Sequence, residues 1–205
     1  MKKNYSLILM AFLCFVLSGY GQVSENFDGF TSGGYGNYNF NNFDINNGLS
    51  ESTNALSGRA VRLRNVGTAN LEYVGTDGNG KDAGVGDISF WYRSWDSSPT
   101  AIYDVEVSIN GGAYSNVGSQ ISTSSTTYAQ WTHSLNNTSD NIKIRVIRVN
   151  GERLIIDNFD ITDYAVTTDP NLAITGATSH GSSCLTNAAT TIQYTITNSG
   201  ILPAA

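Results

Sequence analysis

The sequence has few cysteines, prolines, histidines and charged residues. Of its 205 residues, two are cysteine, three are proline and two are histidine, and charged residues make up 14%. A disulfide framework needs several paired cysteines, and Cys184 is the one that remains once the leader described below is removed. A single cysteine in an exported protein indicates either a free thiol or a partner outside these residues.

Signatures of catalysis are also missing from the sequence. The two histidines, His133 and His180, fall in different predicted modules, and there is no His-Glu-x-x-His, Gly-x-Ser-x-Gly or phosphate-binding glycine loop. Carboxylate pairs for glycoside hydrolysis are left open, because their separation in space cannot be taken from a sequence. We therefore predict that this chain is not itself an enzyme.

The amino terminus has the pattern of an export signal. Two lysines open the chain, an apolar run covers residues 7–17, and Gly21 precedes Gln22. We predict a signal peptide over 1–21, whose apolar run is too short to span a bilayer comfortably, and no membrane span in the mature chain. Without the two leader lysines, nine basic residues stand against seventeen acidic ones, a formal charge of −8. The protein is predicted to be secreted or at the cell surface, and its negative charge argues against nucleic acid as a partner.

Short alternating runs of apolar and polar residues dominate the rest of the chain. They recur at a spacing of about 8–12 residues with glycine- and asparagine-rich turns between them, and no segment keeps an apolar period of about 3.6 residues. This pattern predicts an all-β, antiparallel β-sandwich over 22–164. A polar linker follows at 165–171. Strand-like runs at 172–177 and 190–197 predict the start of an immunoglobulin-like domain, truncated, over 172–205, in what we interpret as a fragment of a longer protein.

The segment from Ile142 to Tyr164 is predicted to be a β-hairpin. Its two apolar runs flank Asn150-Gly151, a pair typical of tight hairpin turns because both residues tolerate positive φ. In that register Asp157 lies in an apolar row that faces the core. A buried carboxylate must be hydrogen-bonded, paired or bound to a metal. The same register opposes two arginines, so a bulge or a longer loop that shifts the facing of one strand is an alternative.

Calcium is the cofactor that the acidic residues favour. Asp157 on the last strand and Glu25 on the first could meet if the two strands pair, and Asp28 could add a further oxygen ligand. The alternative is that Asp157 caps loop amides and that Glu25 is solvated. A second acidic group begins like a calcium-binding loop but lacks its later ligands, and it is interpreted as a solvated loop; its members are Asp77, Asn79, Asp82 and Asp87.

Aromatic and basic side chains provide the candidates for ligand binding. Alternation places Trp91, Arg93 and Trp95 on one face of a strand, and Trp131 lies on another strand. Tryptophan faces and guanidinium groups are suited to sugar rings, although core tryptophans are the alternative. Two basic stretches would form a positive stripe if their strands adjoin, or else pair with Glu72, Glu106 and Glu152; they contain Arg59, Arg62 and Arg64, and Lys143, Arg145, Arg148 and Arg153.

Three motifs resemble a known family when they are taken in order. Glu25 to Phe30, Gly86 to Arg93 and Leu154 to Ile161 are similar to jelly-roll modules of the cleaved-adhesin and MAM-like kind, found in secreted bacterial surface proteins and often in cargo of type IX secretion. Residues 172–205 resemble the start of a CARDB-like or similar immunoglobulin-type domain. The resemblance implies adhesion or glycan binding without catalysis, and calcium held at the positions of Glu25 and Asp157.

Together these observations predict a non-catalytic recognition or adhesion module of a larger secreted protein. Its expected partner is an extracellular glycan or surface polymer. The first alternative is an accessory domain of a secreted hydrolase or nuclease whose catalytic domain lies beyond residue 205. The second alternative is a structural spacer.

Overall fold

The computed structural model describes residues 21–165, 172–175 and 195–198. The predicted signal peptide up to residue 20, Cys184 and most of the predicted linker lie outside these residues. The chain divides into two compact units after Tyr164. In the described parts every regular element is a strand: β1 Val23–Glu25, β2 Gly36–Phe40, β3 Phe43–Glu51, β4 Ala60–Leu63, β5 Asn70–Tyr73, β6 Val85–Ser94, β7 Ala101–Ile109, β8 Ser115–Asn116, β9 Ile121–Thr123, β10 Ala129–Asn137, β11 Ile142–Asn150, β12 Leu154–Ile161, β13 Leu172–Thr175 and β14 Thr195–Asn198.

The first twelve strands form one antiparallel sheet that curls into two layers. Sheet I runs in the order β10–β6–β12–β4 and ends on the second half of β3, with β1 paired to the far part of β12. Sheet II begins with β2 and the first half of β3 and continues through β5, β11 and β7, which carries β8 and β9 on its far edge. The all-β antiparallel fold class is therefore confirmed.

Strand β3 passes from one layer to the other at Asn47-Gly48. Its residues 43–46 pair with β5, and its residues 48–51 pair with β4. Asn47 has a φ of +52°, which bends the strand. A methyl group at Gly48 would lie only 2.3 Å from Cγ2 of Ile45, so the close approach at this bend requires glycine.

The core between the layers is built from aromatic and branched side chains. Phe159 on β12 packs against Phe43 and Phe90, with ring centroids 5.3 and 5.1 Å apart. The ring of Trp131 stacks on Phe90 at 5.2 Å. These four residues come from β3, β6, β10 and β12, so they join the two sheets through one continuous apolar cluster.

The predicted hairpin from Ile142 to Tyr164 is wrong. Strand β11 pairs with β5 and β7 in sheet II, whereas β12 pairs with β1, β4 and β6 in sheet I. A tight turn of the predicted type needs positive φ at both central residues, but only Gly151 has it, at +79°. A methyl group there would lie 1.7 Å from the carbonyl oxygen of Thr100, so Gly151 is required for a crossover between layers.

The facing of β12 also differs from the prediction. Leu154 and Ile156 face the core, and so do Phe159 and Ile161. Even-numbered residues face the core before Asp157 and odd-numbered residues face it afterwards. This change comes from a bulge after Asp157, where Asn158 has a φ of +46°. Asp157 therefore points to the outer side of sheet I, not into the core.

The second unit contributes one described pair of strands. β13 and β14 are antiparallel, with Leu172 opposite Asn198 and Thr175 opposite Thr195. They fall within or beside the segments predicted to be strands, and their immunoglobulin-like nature stays a prediction. Among the residues that the structure describes, there is no helix of the length and hydropathy needed to cross a membrane.

Candidate functional site

The outer face of sheet II carries a continuous row of polar side chains. Strand register places one such residue on each neighbouring strand, from β2 across β3, β5, β11 and β7 to β8. We call this set the polar row; it consists of Asn39, Asp44, Glu72, Arg145, Glu106 and Asn116. Because residues opposite each other in antiparallel strands are close neighbours, the row forms one surface although its members are spread over 78 positions of the sequence.

Tyr114 covers the middle of the polar row. The guanidinium carbon of Arg145 lies 3.7 Å from the centroid of its ring, and the Tyr114 hydroxyl donates a short hydrogen bond to Glu72. Burial, followed by the hydrogen bond and the negative charge of Glu72, raises the pKa of Tyr114, so the phenol stays neutral. The ring is half-buried, with Arg145 against one side.

Ion pairs and amides hold the polar row and its neighbours in place. Nη2 of Arg145 lies 2.6 Å from a carboxylate oxygen of Glu106, whose side chain is 17% exposed. One register position further along the strands, Gln120 donates to Asp104 at 2.7 Å. On the same face, Nδ2 of Asn46 on β3 donates to Oδ1 of Asn70 on β5 at 3.0 Å. We call the polar row together with Tyr114 and these four residues the polar face.

The outer face of sheet I contains three of the predicted ligand-binding residues. Trp91, Arg93 and Trp95 share this face, as alternation predicted, and all three are half-buried. The guanidinium carbon of Arg62 lies 3.7 Å from the Trp95 ring centroid, and that of Arg153 lies 5.5 Å away. At least one side of the Trp95 ring is therefore already occupied by a cation from the same chain.

Trp131 belongs to the core instead of to a binding surface. Its side chain is 6% exposed and stacks on Phe90. The indole nitrogen donates to the carbonyl oxygen of Ser119 at 2.9 Å, which satisfies its polar atom. Trp131 is therefore a core tryptophan, which was the alternative to a ligand-binding role. It does not lie on the face that Trp91 and Trp95 share.

A loop over residues 52–58 covers part of the outer face of sheet I. Asn54 in this loop accepts a hydrogen bond from the Tyr128 hydroxyl at 2.8 Å and contacts Arg93 at 3.5 Å. Glu51, 5% exposed, accepts the amide of Asn54 and pairs with Arg62 at 2.8 Å. We call this loop the roof.

Asp157 is buried beneath the roof and binds backbone amides. It is 0% exposed, and its carboxylate accepts the amides of Leu56 and Asn158, each at 2.8 Å. Burial raises the pKa of Asp157; the amides act in the opposite direction, and the nearby charge of Asp28 raises the pKa further. A buried carboxylate with a raised pKa is a feature of functional sites and of structural caps alike, and here the amide contacts identify a cap.

The three predicted calcium ligands are brought together only in part. Strands β1 and β12 do pair, with Glu25 opposite Phe159. The Glu25 carboxylate, however, accepts the amide of Phe27 at 2.7 Å and the side-chain amide of Asn41. Asp28 accepts the amide of Arg59 at the end of the roof.

Two of these carboxylates, those of Asp28 and Asp157, therefore approach each other around the roof, whereas Glu25 is used elsewhere. Over the described residues no group of three or more acidic, histidine or cysteine side chains is placed to hold a metal ion. The residues fit calcium incompletely, and calcium binding stays a prediction.

The second acidic group does not converge either. Asp77 accepts the amide of Asn79 at 2.9 Å, and Asp82 accepts the amide of Asn141 at 3.2 Å. Asp87 accepts the hydroxyl of Ser134, on strand β10. Asp77 thus stabilises its own loop, whereas Asp82 and Asp87 join this segment to the residue before β11 and to β10. The interpretation as a solvated loop stays a prediction.

The positive stripe that adjoining strands would form is present only in part. Arg62 lies on β4 in sheet I, whereas Lys143, Arg145 and Arg148 lie on β11 in sheet II, and these two strands do not adjoin. The two basic stretches meet only at Trp95, where the guanidinium groups of Arg62 and Arg153 both lie over the ring. The pairs expected under the alternative do form in two cases: Arg145 with Glu106, and Arg153 with Glu152 at 2.6 Å. The basic residues therefore serve two separate outer faces.

The polar face was not predicted from the sequence. Alternation along β7 places Asp104 and Glu106 on one side of that strand, but the strands that pair with β7 cannot be identified from the sequence. Tyr114 follows a glycine turn in a segment with little strand pattern, and its placement over Arg145 depends on strand register. Outward acidic and amide residues at alternate positions of adjacent strands are the signal that could have indicated this face.

Comparison with solved structures identifies the fold. The CBM22-1 xylan-binding domain of Paenibacillus barcinonensis Xyn10C superposes with a TM-score of 0.51 at 12% identity, covering 70% of this chain and 95% of that domain. A cleaved adhesin domain of Lys-gingipain from Porphyromonas gingivalis gives 0.50 at 12% identity, covering 70% and 99%. The C-terminal family 22 carbohydrate binding module of Clostridium thermocellum Xyn10B gives 0.50 at 7% identity, covering 72% and 98%.

These similarities show that the first unit is a jelly-roll β-sandwich like those of cleaved-adhesin domains and carbohydrate-binding modules, as the motif resemblance predicted. At such low identity the likeness concerns the fold. Neither a scan against protein-family models nor a search of curated proteins found a match.

Proposed function

We propose that residues 22–164 form a non-catalytic, extracellular recognition module that binds glycans on the polar face. The observation that carries this proposal is the polar row, which crosses six strands and holds Tyr114 flat against Arg145. The similarity of the fold to carbohydrate-binding and adhesin domains supports it. A position on the cell surface or in the medium is part of the same proposal and follows from the predicted signal peptide.

The polar face offers the groups that a sugar ring needs. Carboxylates and side-chain amides accept and donate hydrogen bonds to hydroxyl groups, and the guanidinium of Arg145 presents several donors in one plane. Arg145 and Glu106 hold each other rigidly, which lowers the entropy that binding would otherwise cost. The side of the Tyr114 ring away from Arg145 is the surface on which a sugar could stack.

The charges of the polar face favour a neutral glycan over an acidic one. Its four carboxylates are those of Asp44, Glu72, Asp104 and Glu106, and Arg145 is its one cation, with Lys143 beside it on β11. A surface with this excess of acids repels anionic polymers. Neutral hydroxyl groups can bind to paired acids and amides without that cost.

Glycan-array screening of residues 22–205 with matched variants tests the proposal. Tyr114→Ala removes the stacking surface, and we expect it to weaken binding at least about tenfold, equivalent to about 1.4 kcal/mol. Trp95→Ala on the opposite sheet is the matched control and should leave binding unchanged. If Trp91→Ala and Trp95→Ala abolish binding while Tyr114→Ala does not, the site lies on sheet I. If no glycan binds, the alternative of a structural spacer is favoured.

The alternative role, an accessory domain of an enzyme, involves the same binding site. It differs from adhesion only in the domains that follow in the same protein. A hydrolase or nuclease domain beyond residue 205 would use the same polar face to approach its substrate. Sequencing of the gene downstream of this segment distinguishes the two, since a catalytic motif there favours the accessory role and further immunoglobulin-like repeats favour adhesion.

A further inference from the structure

Strand β10 forms one edge of sheet I. On one side it pairs with β6, from Ala129 opposite Tyr92 to Ser134 opposite Asp87. None of the backbone hydrogen bonds found within residues 21–165 joins its other side to another strand or loop. Because alternate residues of a strand direct their N–H and C=O groups to opposite sides, this free side presents a row of donors and acceptors. The row is a template on which a further strand can pair.

Most of β10 lacks the features that commonly protect an edge strand from such pairing. Proteins protect their edges with short strands, lysines, prolines, inward charges or bulges. β10 is nine residues long, and it contains no proline and no Asp, Glu, Lys or Arg. A bulge lies only after Ser134, where Asn136 has a φ of +47°. By contrast, β7 at the edge of sheet II is covered in part by β8 and β9. Over residues 129–134, β10 is therefore an unprotected edge.

The side chains on the outer face of this strand are neutral and exposed. They are those of Gln130, Thr132 and Ser134, which alternate with the buried Trp131. Ser119 contacts the strand from the core side, and it does so through the Trp131 indole and not through the backbone of β10. A second strand in the plane of the sheet could therefore approach the free side without displacing a charged group.

We propose that β10 pairs with β10 of a second copy of this chain, so that sheet I of one copy continues into sheet I of the other. Two identical strands related by a two-fold axis run antiparallel, as do the neighbouring strands of this sheet. Two long registers keep core-side residues opposite core-side residues, with the axis at Trp131 or at Thr132. An axis at Trp131 would bring together two indoles that are already packed in their own cores. The axis therefore passes through Thr132, with Gln130 opposite Ser134 of the other copy.

The charges near β10 permit this pairing although the protein is acidic. On β6, Asp87 lies beside Ser134, and Trp91 lies beside Gln130. The two-fold axis thus places Asp87 of one copy in line with Trp91 of the other, and not with its own counterpart. The two β6 strands are three strand spacings apart, about 14 Å, which exceeds the screening length of about 8 Å at physiological ionic strength. Opposed hydroxyl and amide side chains can also hydrogen-bond across the axis.

The expected dimer is weak and leaves the polar face free. A contact through one strand from each copy is smaller than the about 1,200 Å² at which standard interfaces begin, so association should depend on concentration. β10 belongs to sheet I, whereas the polar face lies on sheet II. If the polar face binds glycans, a point that rests on the proposed function, two paired copies would hold one polymer at two sites and gain avidity. Formation of the dimer itself does not depend on a glycan.

Analytical ultracentrifugation of residues 22–205 without any glycan tests the proposal, at concentrations from about 1 μM to about 1 mM. We expect a monomer–dimer equilibrium. Thr132→Lys and Thr132→Glu each place two like charges at the axis, and each should weaken association about fivefold or more. An equimolar mixture of the two variants should restore association, because the axis then joins opposite charges.

Thr68→Lys is the matched control, because it adds the same charge at an exposed threonine before β5. It should dimerise as the native chain does, and circular dichroism checks that each variant is folded. The proposal is overturned if the native chain stays monomeric over the whole range, if Thr132→Lys associates as tightly as Thr68→Lys, or if the mixture associates no better than either variant alone. Tyr114→Ala should still dimerise, so failure of this proposal is separable from failure of glycan binding on the polar face.

Discussion

The outer faces of the two sheets use the same kinds of residue in opposite ways. On sheet II, Arg145 and Tyr114 stack in the middle of the polar row, where the acids Glu106 and Glu72 pair with side chains. On sheet I, Arg62 and Trp95 stack with the same 3.7 Å separation, but beside a loop that covers the neighbouring acid, Asp157. A stacked arginine and aromatic ring is therefore not by itself a binding site. The two faces differ in the partners of the surrounding acids, because Asp157 accepts backbone amides whereas Glu106 pairs with the side chain of Arg145.

The largest expected effect is a loss of stability when Asp157, on the outer face of sheet I, is replaced. Asp157→Ala leaves the amides of Leu56 and Asn158 without an acceptor, and we expect it to lower the free energy of unfolding by about 1–3 kcal/mol. Urea denaturation measures this. Asp157→Asn, which keeps one acceptor oxygen, is the control and should recover part of the loss. An unchanged midpoint in Asp157→Ala would mean that the roof is not anchored by this side chain.

The second largest expected effect is a gain in stability on calcium binding, which would involve only acids beside sheet I. If an ion bridges Asp28 and Asp157, a concentration of one hundred times Kd stabilises the fold by about 2.7 kcal/mol. EDTA should then lower Tm, and Asp28→Asn should remove that sensitivity, whereas Asp44→Asn on sheet II should retain it. If Tm responds neither to EDTA nor to added calcium, the prediction of a calcium site is wrong.

On sheet II, replacement of an acid of the polar face should reduce glycan binding far more than it reduces stability. Glu106→Ala breaks the ion pair with Arg145, whose side chain is 23% exposed, and we expect a loss of about 1 kcal/mol or less. Glycan binding should weaken, because the Arg145 side chain is no longer held in place by Glu106. Parallel urea and array measurements check this. A stability loss as large as that of Asp157→Ala would show that the polar face is structural.

The smallest effect is a pH dependence that comes from Asp157. Its pKa is raised in the folded protein from the ordinary value of 3.8, so its contribution to stability is full below that value and declines as pH rises through the folded pKa. The stability of the native chain relative to Asp157→Asn should therefore decrease on going from acidic to neutral pH. A bound calcium ion would reverse the sign, because it requires the ionised carboxylate. Denaturation at several pH values, with EDTA, distinguishes the two cases.

Much of the fold could be predicted from local pattern. Apolar and polar residues alternate over residues 101–109, which puts Tyr103, Val105 and Val107 on one side of a strand, and β7 has these bounds and buries these three residues. The placement of Trp91, Arg93 and Trp95 on one shared face also agrees with the structure. These features depend on the two-residue period of a strand, which is present in the sequence.

The candidate site could not be predicted in the same way. Asn150-Gly151 suggested a hairpin, yet the residues on either side pair with strands far away in sequence. The glycine is needed because the backbone of Thr100 passes close by, and nothing in the local sequence encodes that neighbour. Similarly, the bulge after Asp157 changed which residues of β12 face the core, and a shift of one residue exchanges the two faces of a strand.

The sequence by itself determined that this protein is built from short amphipathic strands and which side of most strands is apolar, because alternation is a property of neighbouring residues. Only the tertiary structure decided that Glu72, Arg145 and Glu106 stand side by side while Asp157 is covered. Strand pairing joins positions tens of residues apart. An acidic side chain therefore becomes a buried cap or part of an outer polar face according to the strand and loop that lie beside it.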